Sequence, residues 1–309
     1  MARPLVTIVN AGIKSRLRDK PRKPWMMPGA IGEIGAMITP DWDIVAWDEF
    51  VEGPVPIDWI KSSSLVALTY LTPSWYRSVD IAKQARSLNI PLIAGGRDVI
   101  GRSMEEGGLD EVVRAYGSVC TTNLSPGLMN AILTDCRQGE LKEHYALPDD
   151  ASVELVMPRR DLLRPADYFA GWCIRSSQGC DRRCPWCTVG GKGFFRKEPS
   201  TLEAELRTIH HWFFIDVADS FANDVGFVRE DVLPVYKKSG KRWGTELTVA
   251  DVLEEDLVSI LRSSGCRLLY IGLESVTREL NRKSSRKMAE EVILQCRKEG
   301  IVVIGSLML

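Results

Sequence analysis

Short apolar runs rich in β-branched residues recur along this chain, spaced widely enough for a helix between neighbours. Leu5–Val9, Trp42–Trp47, Leu65–Leu71 and Ile90–Gly96 mark the first half. Trp172–Ser176, Trp212–Val217, Arg242–Val249, Leu268–Ser275 and Ile301–Leu309 mark the second. Between them, Ile31–Ile38, Val79–Leu88, Asp251–Ser263 and Ala289–Lys298 place apolar residues at helical spacing. Parallel strands need a crossover, and a helix supplies it. Strands buried on both faces read as nearly unbroken apolar runs. The chain is therefore α/β, with parallel sheets and helices packed on them. At 309 residues it has room for two ordinary domains.

The first domain, residues 1–145, reads as a doubly wound, Rossmann-type parallel sheet, with Glu111–Tyr116 as its last short strand. Ligands of such sheets lie beyond the carboxyl ends of the strands, here the loops after Val9, Leu71 and Ala94. Residues 146–169 carry Pro148-Asp-Asp-Ala, Pro158-Arg-Arg-Asp and Pro165-Ala-Asp, and read as a linker. The second domain, 170–309, is five further strand–helix repeats. In it Ser200 is the expected N-cap of a helix with Glu203 completing a capping box, and Gly265 and Gly300 end helices.

The chemistry-bearing feature is Cys180-Asp-Arg-Arg-Cys184-Pro-Trp-Cys187, a C-x3-C-x2-C spacing. Three thiolates on one short loop can hold three corners of an iron–sulfur cube and leave the last iron open. A structural zinc site takes four ligands, usually as two separated pairs, and no second Cys-x2-Cys pair exists here. Cys173 is the available fourth donor, but it lies in an apolar run and reads as a core residue. Three cysteines within eight residues make a poor disulfide framework. Gly190-Gly191-Lys192-Gly193 follows the loop but lacks the G-x4-G-K-[ST] pattern of a phosphate cradle.

With Trp186 as the aromatic before the third cysteine, this loop resembles that of the radical S-adenosylmethionine (SAM) superfamily. The order of pieces adds to the likeness: the cysteine loop, Phe214-Ile-Asp-Val-Ala-Asp-Ser-Phe221, Trp243–Thr248, then Ile271-Gly-Leu-Glu-Ser275. The resemblance implies a partial (β/α) barrel with its site at the carboxyl ends of the strands. It implies a 4Fe-4S cluster on Cys180, Cys184 and Cys187, with SAM on the open iron. SAM would then be cleaved reductively to a 5′-deoxyadenosyl radical that takes hydrogen from an unactivated carbon. The candidate SAM contacts are Trp186, Asp216 or Asp219 for the amine, Glu246 and Thr248 for the ribose, and Glu274 with Ser275. Alternation puts Glu246 and Thr248 on one strand face. The family's usual Asp-Asp-x-Phe reads Ala218-Asp219-Ser220-Phe221 here.

The first half resembles the cobalamin-binding domain that precedes many radical SAM barrels, through Thr69-Tyr-Leu-Thr72 and Ile93-Ala-Gly95-Gly96. The resemblance implies Thr69, Thr72, Gly95 and Gly96 as cobalamin contacts. No histidine precedes His144, so none is expected to ligate cobalt from below, and the family's Gly-Gly-x-His turn reads Gly95-Gly96-Arg97-Asp98. The implied activity is cobalamin-dependent methylation of an unactivated carbon in a lipid or secondary metabolite. The electron donor would be a flavodoxin or ferredoxin. The alternatives are a radical SAM enzyme with an empty first domain, doing cyclisation or rearrangement, and a truncated non-catalytic relic. A transfer-RNA methylthiotransferase would carry further cluster cysteines in the first half, which has Cys120 and Cys136 alone. The family's barrel has one more strand than is read here, which suggests a fragment, a truncated reading frame or a partner that completes the sheet.

A net charge of −1 gives no broad electrostatic footprint for nucleic acid or an anionic membrane. The basic run from Lys14 to Lys23 reads as a solvated loop. No apolar run reaches the ~18 residues of a membrane helix. The N-terminus shows no signal-peptide pattern, and eight cysteines then point to a reducing cytoplasm.

Overall fold

The computed structural model describes residues 3–14, 23–148, 151–184, 187, 189–190, 193–253, 256–274 and 286–307. The chain divides into two compact units, Met1–Gly171 and Trp172–Leu309.

The first unit is built on strands β1 (Leu5–Asn10), β2 (Asp43–Asp48), β3 (Leu65–Thr69), β4 (Leu92–Gly95), β5 (Val119–Cys120) and β6 (His144–Tyr145). They form one sheet in the order β2-β1-β3-β4-β5-β6, every pair parallel. Helices α1 (Gly29–Met37), α2 (Glu49–Glu52), α3 (Ile57–Ser62), α4 (Trp75–Ser87), α5 (Arg97–Ser103), α6 (Gly108–Tyr116) and α7 (Pro126–Gln138) connect them. Every residue of β3 is buried. Its Val66 and Leu68 pack with Ile81, Val99 and Val112 in one core. Leu65 and Ala67 pack with Ile31, Ile132 and Leu133 in another. Successive side chains of a strand point to opposite faces, so one apolar run feeds two layers of helix. The winding reverses between β1 and β3, and a doubly wound sheet opens its ligand crevice at that point.

Glu111–Tyr116, expected as the last strand, is helical. It lies in α6, whose first turn carries Asp110 and Glu111 and which ends at Gly117 with φ +86°. Leu109, Val112, Val113 and Tyr116 all reach the core, a spacing that suits a helix rather than an alternating strand. The place of the final strands is taken by β5 and β6, two residues each.

The proline-rich stretch after β6 is built into this unit. Arg159 N–H donates to the Gly32 carbonyl at 2.9 Å, and Ala170 N–H to that of Trp25 at 2.7 Å. Tyr168 Oη donates to Asp48 Oδ2 at 2.8 Å inside the protein. Burial pushes the Asp48 carboxyl up from its ordinary value, and donors from Tyr168, Asn10 and Phe50 oppose the shift.

The second unit holds β7 (Cys173–Ile174), the short pair β8 (Ser177–Gly179) and β9 (Phe194–Arg196), then β10 (Phe213–Asp216), β11 (Arg242–Thr248), β12 (Cys266–Glu274) and β13 (Val302–Leu307). Five of them form a parallel sheet in the order β13-β12-β11-β10-β7. Strands laid down in chain order step always the same way, which is how a (β/α) barrel winds. The helices are α8 (Pro199–Arg207), α9 (Val225–Phe227), α10 (Leu233–Ser239), α11 (Val249–Val252), α12 (Leu257–Ser263) and α13 (Arg286–Lys298). A π-turn over Val228–Val232 joins α9 to α10. One core unites Phe214, Trp243, Leu247 and Ile271 of the strands with Leu206, Tyr236, Leu261 and Val292 of the helices.

Two local expectations differ. Pro199 opens α8 with Glu198 at the N-cap, so Ser200 lies inside the helix; proline is pre-set for the first helical position. The helix expected over Asp251–Ser263 is two, and Asp256 stands before the second at φ +61°. No described helix is long and apolar enough to cross a membrane.

Candidate functional site

The three motif cysteines lie on the loop of a hairpin. β8 and β9 pair antiparallel, Ser177 with Arg196 and Gly179 with Phe194, and a further bridge joins Cys180 to Gly190. The loop is folded tightly on itself. A Cβ at Gly179, where φ is +86°, would lie 2.1 Å from the Gly193 carbonyl oxygen, and one at Gly190 would lie 2.2 Å from that of Arg182. Only glycine admits backbones this close. Cys180 is buried, Cys184 half-buried and Cys187 exposed. Cys187 N–H donates to the Cys184 carbonyl at 3.0 Å. Val189 N–H donates to Cys187 Sγ at 3.4 Å. Such N–H···S bonds tune metal-bound thiolates. Among the described residues no three His, Cys, Asp or Glu side chains are drawn into a closed metal-binding set. The donor chemistry nonetheless suits a thiolate-held cluster: three sulfurs on one pinned loop, with the Val189 N–H on that of Cys187. Trp186 lies outside the described residues.

The loop is tied to the ends of β10 and β11. Asp219 Oδ2 accepts from Gly179 N–H at 2.8 Å, and Asp219 Oδ1 from Arg175 at 3.3 Å. Asp181 and Asn223 bond reciprocally, backbone N–H to amide oxygen at 3.1 Å and amide nitrogen to carboxylate at 3.0 Å. Arg182 Nη1 donates to Thr248 Oγ1 at 3.1 Å and to Asp251 Oδ2 at 3.2 Å, while its Nη2 donates to Asp251 Oδ1. The Asp251 hydrogen bond holds the Arg182 guanidinium above its already high ordinary pKa. The sequence alone gives Asn223, Arg182 and Asp251 no role at the site. Thr248-x-x-Asp251 could have been read as a helix N-terminus, and it does form a capping box on α11.

Asp216 does not sit as a ligand for the SAM amine would. It is fully buried and accepts from Ser176 N–H, Ser176 Oγ, Ala218 N–H and Tyr236 Oη. Burial raises its pKa, and the four donors counter that rise. Its work is to fasten β7 to β10. Asp219 is nearly as buried and is engaged with the cysteine loop.

Glu246 and Thr248 share a strand face, with Glu246 exposed and Thr248 half-buried, whereas Trp243, Thr245 and Leu247 are buried. The Thr248 hydroxyl is occupied by the cap and by Arg182. Glu274 ends β12 at φ +57°, one of three described non-glycine residues in the left-handed region. A Cβ at Gly272 would lie 2.8 Å from Glu274 Oε1, and the pairing with β13 shifts register between these residues. Left-handed backbone at a non-glycine residue costs on the order of 1–3 kcal/mol and clusters at ligand sites. Ser275 lies outside the described residues.

In the first unit, the crevice where the winding reverses is lined by the ends of β1, β3 and β4. Thr69 is buried at the end of β3, Thr72 is exposed in the turn beyond it, and Gly95 and Gly96 are half-buried. Gly96 has φ +107°, and a Cβ there would lie 3.1 Å from Thr69 Oγ1. Ser74, fully buried in the turn after β3, has no hydrogen-bond partner for its Oγ among the described residues. An unmet buried hydroxyl in the turn after β3 and a close backbone approach after β4 fit a ligand with polar groups at this crevice. Gly96→Ala is expected to cost about 1–2 kcal/mol, from the left-handed backbone and the crowding of Thr69. Faster amide hydrogen exchange in β3 and β4, with α7 unaffected, would register it.

Residues 174–309 match the model of the radical SAM superfamily. The chain is 22% identical over 307 residues to "Bacteriochlorophyllide d C-12(1)-methyltransferase" of Chlorobaculum tepidum, covering 90% of this chain and 63% of that protein. It thus spans somewhat less than two thirds of the length of the curated relative it matches.

Proposed function

We propose, from a second unit that is a radical SAM domain, that this protein is a cobalamin-associated enzyme that methylates an unactivated carbon of a lipid or secondary metabolite. The observation that carries the reading is the hairpin loop that presents Cys180, Cys184 and Cys187. Cys173 is buried in β7 and belongs to the strand, which leaves the loop a three-thiolate donor set. A 4Fe-4S cluster on these thiolates, with SAM at its open iron, supplies one-electron reductive chemistry toward unactivated carbon–hydrogen bonds.

The chain's own residues hold and shield. Gly179 and Gly190 let the loop close, and Asp219 and Asn223 hold it against the end of β10. Glu246, exposed on the strand face opposite the core, is the polar group of β11 assigned to the SAM ribose by position. Glu274, set by its left-handed backbone, is the corresponding group of β12. Trp186 and Ser275 keep their SAM-binding roles on the family resemblance alone. In the first unit Thr69, Thr72, Gly95 and Gly96 would hold the cobalamin, with Gly96 admitting close approach. Methylation is favoured over ring closure because the relative's name is that of a carbon methyltransferase.

The test is anaerobic reconstitution with iron and sulfide, then reduction in the presence of SAM. About four irons per chain and formation of 5′-deoxyadenosine are expected. Added cobalamin should leave a corrinoid absorption band that travels with the protein through gel filtration. Zinc without iron, or no SAM cleavage from an iron-loaded chain, would overturn the reading. A cleaving enzyme that retains no corrinoid would reassign the first unit and remove the cobalamin part.

A further inference from the structure

We propose that Arg182 is the positioning residue of the cysteine loop, locking it to the N-terminus of α11 through Asp251 and setting the charge beside the cluster. This rests on Cys180, Cys184 and Cys187 being the cluster ligands. Arg182 stands between the first two of them, so its backbone moves with both. Its carbonyl is also where the loop's two arms meet, since any side chain at Gly190 would strike it. The guanidinium reaches both oxygens of Asp251 and the hydroxyl of Thr248. Two-point contact between a planar guanidinium and a carboxylate fixes orientation as well as distance.

The receiving end is rigid before the loop arrives. Asp251 Oδ2 accepts from Thr248 N–H at 2.8 Å and Thr248 Oγ1 at 2.8 Å, and its side chain is 6% exposed. Arg182 is 27% exposed, so the pair is only partly screened. Asp181 is exposed and Asn223 half-buried, and neither side chain of this neighbouring tie is itself a cation. Arg182 therefore brings a permanent positive charge to a loop of three thiolates, and Asp251 partly balances it. Net charge and hydrogen bonding near the sulfurs are what set cluster potentials.

The two partners should act in opposite directions on the cluster. Arg182→Gln removes the cation and leaves the Asp251 carboxylate, so the reduction potential falls. Asp251→Asn keeps an acceptor for the Thr248 cap and leaves the cation unbalanced, so the potential rises. Each shift should be about tenfold in the reduced-to-oxidised ratio at fixed potential, which is 59 mV for one electron. Arg182→Lys keeps the charge and loses the fork. It should hold the potential near wild type, while amide exchange over Asp181–Cys184 in the cluster-free protein quickens about tenfold, as in Arg182→Gln. Anaerobic redox titration by electron paramagnetic resonance and hydrogen exchange read these outcomes. Opposite shifts with faster loop exchange would support the inference. A wild-type chain that carries the cluster while both variants shift alike or not at all would overturn it and leave the cluster reading intact. A wild-type chain that takes up no iron would overturn both.

Discussion

Cys180→Ala is expected to abolish cluster assembly and reduce 5′-deoxyadenosine formation by on the order of 10³-fold or more, the scale of losing an indispensable catalytic group. The reason is geometric. Cys180 is buried where the loop leaves β8, and its backbone bridges Gly190 across the hairpin. Without it Cys184 and Cys187 remain as a Cys-x2-Cys pair, half of what a tetrahedral zinc site uses. The variant should therefore lose iron and sulfide together while remaining folded. Cys173→Ala is the control. Cys173 is buried in β7, so its loss should cost packing energy of about 1 kcal/mol and leave the iron content unchanged. Equal iron loss in both variants would mean that the cysteines act through folding, and the ligand assignment would fail.

The long parallel strands were legible because burial on both faces writes itself as an apolar run. Leu65–Thr69 is such a strand, whereas Cys266–Glu274 was legible from its length of apolar residues although Tyr270 in its middle is exposed. The short strands were not. β5 and β6 have two residues each, and their pairing is bought by position in the sheet rather than by pattern. Val112-Val113 inside α6 looked like strand because β-branched residues favour strands, yet the burial of Leu109 and Tyr116 at helical spacing outweighs that preference. The hairpin of β8 and β9 is three residues a side, separated by the very loop that carries the cysteines. No local periodicity reveals such a pair.

At the site, residue type was legible and partnership was not. Asp216 and Asp219 both follow an apolar run, and both are carboxylates at a strand end. Only the fold shows that one is sealed under Ser176 and Tyr236 while the other accepts from the backbone of the cysteine loop. Thr248 and Glu246 share a face as alternation requires, but the threonine is claimed by a cap whose other member stands three residues on. Arg182 pairs with a carboxylate 69 residues away, a separation at which sequence carries no signal.

Glu49→Gln should destabilise the first unit by about 3–5 kcal/mol, the cost of leaving a buried charge without its partner. The Glu49 side chain is fully buried and the Arg77 guanidinium nearly so. Arg77 donates to both carboxylate oxygens, at 2.6 to 3.0 Å, while Glu49 also accepts from Gly12 N–H at 3.0 Å and Val55 N–H at 2.9 Å. Removing the negative charge alone strands the guanidinium. Adding Arg77→Met removes that liability, and the double variant should recover more than half of the loss. Exchange of β1 and β3 amides should quicken about 10²- to 10⁴-fold in the single variant and far less in the double. Gly12 lies just past the end of β1, at the crevice where the winding reverses, so Glu49 also shapes the proposed cobalamin site. Corrinoid retention should then fall in the single variant even under conditions where the sheet stays folded. An unchanged exchange rate would mean that water reaches Arg77, and the pair would be a surface contact rather than the brace of the crevice.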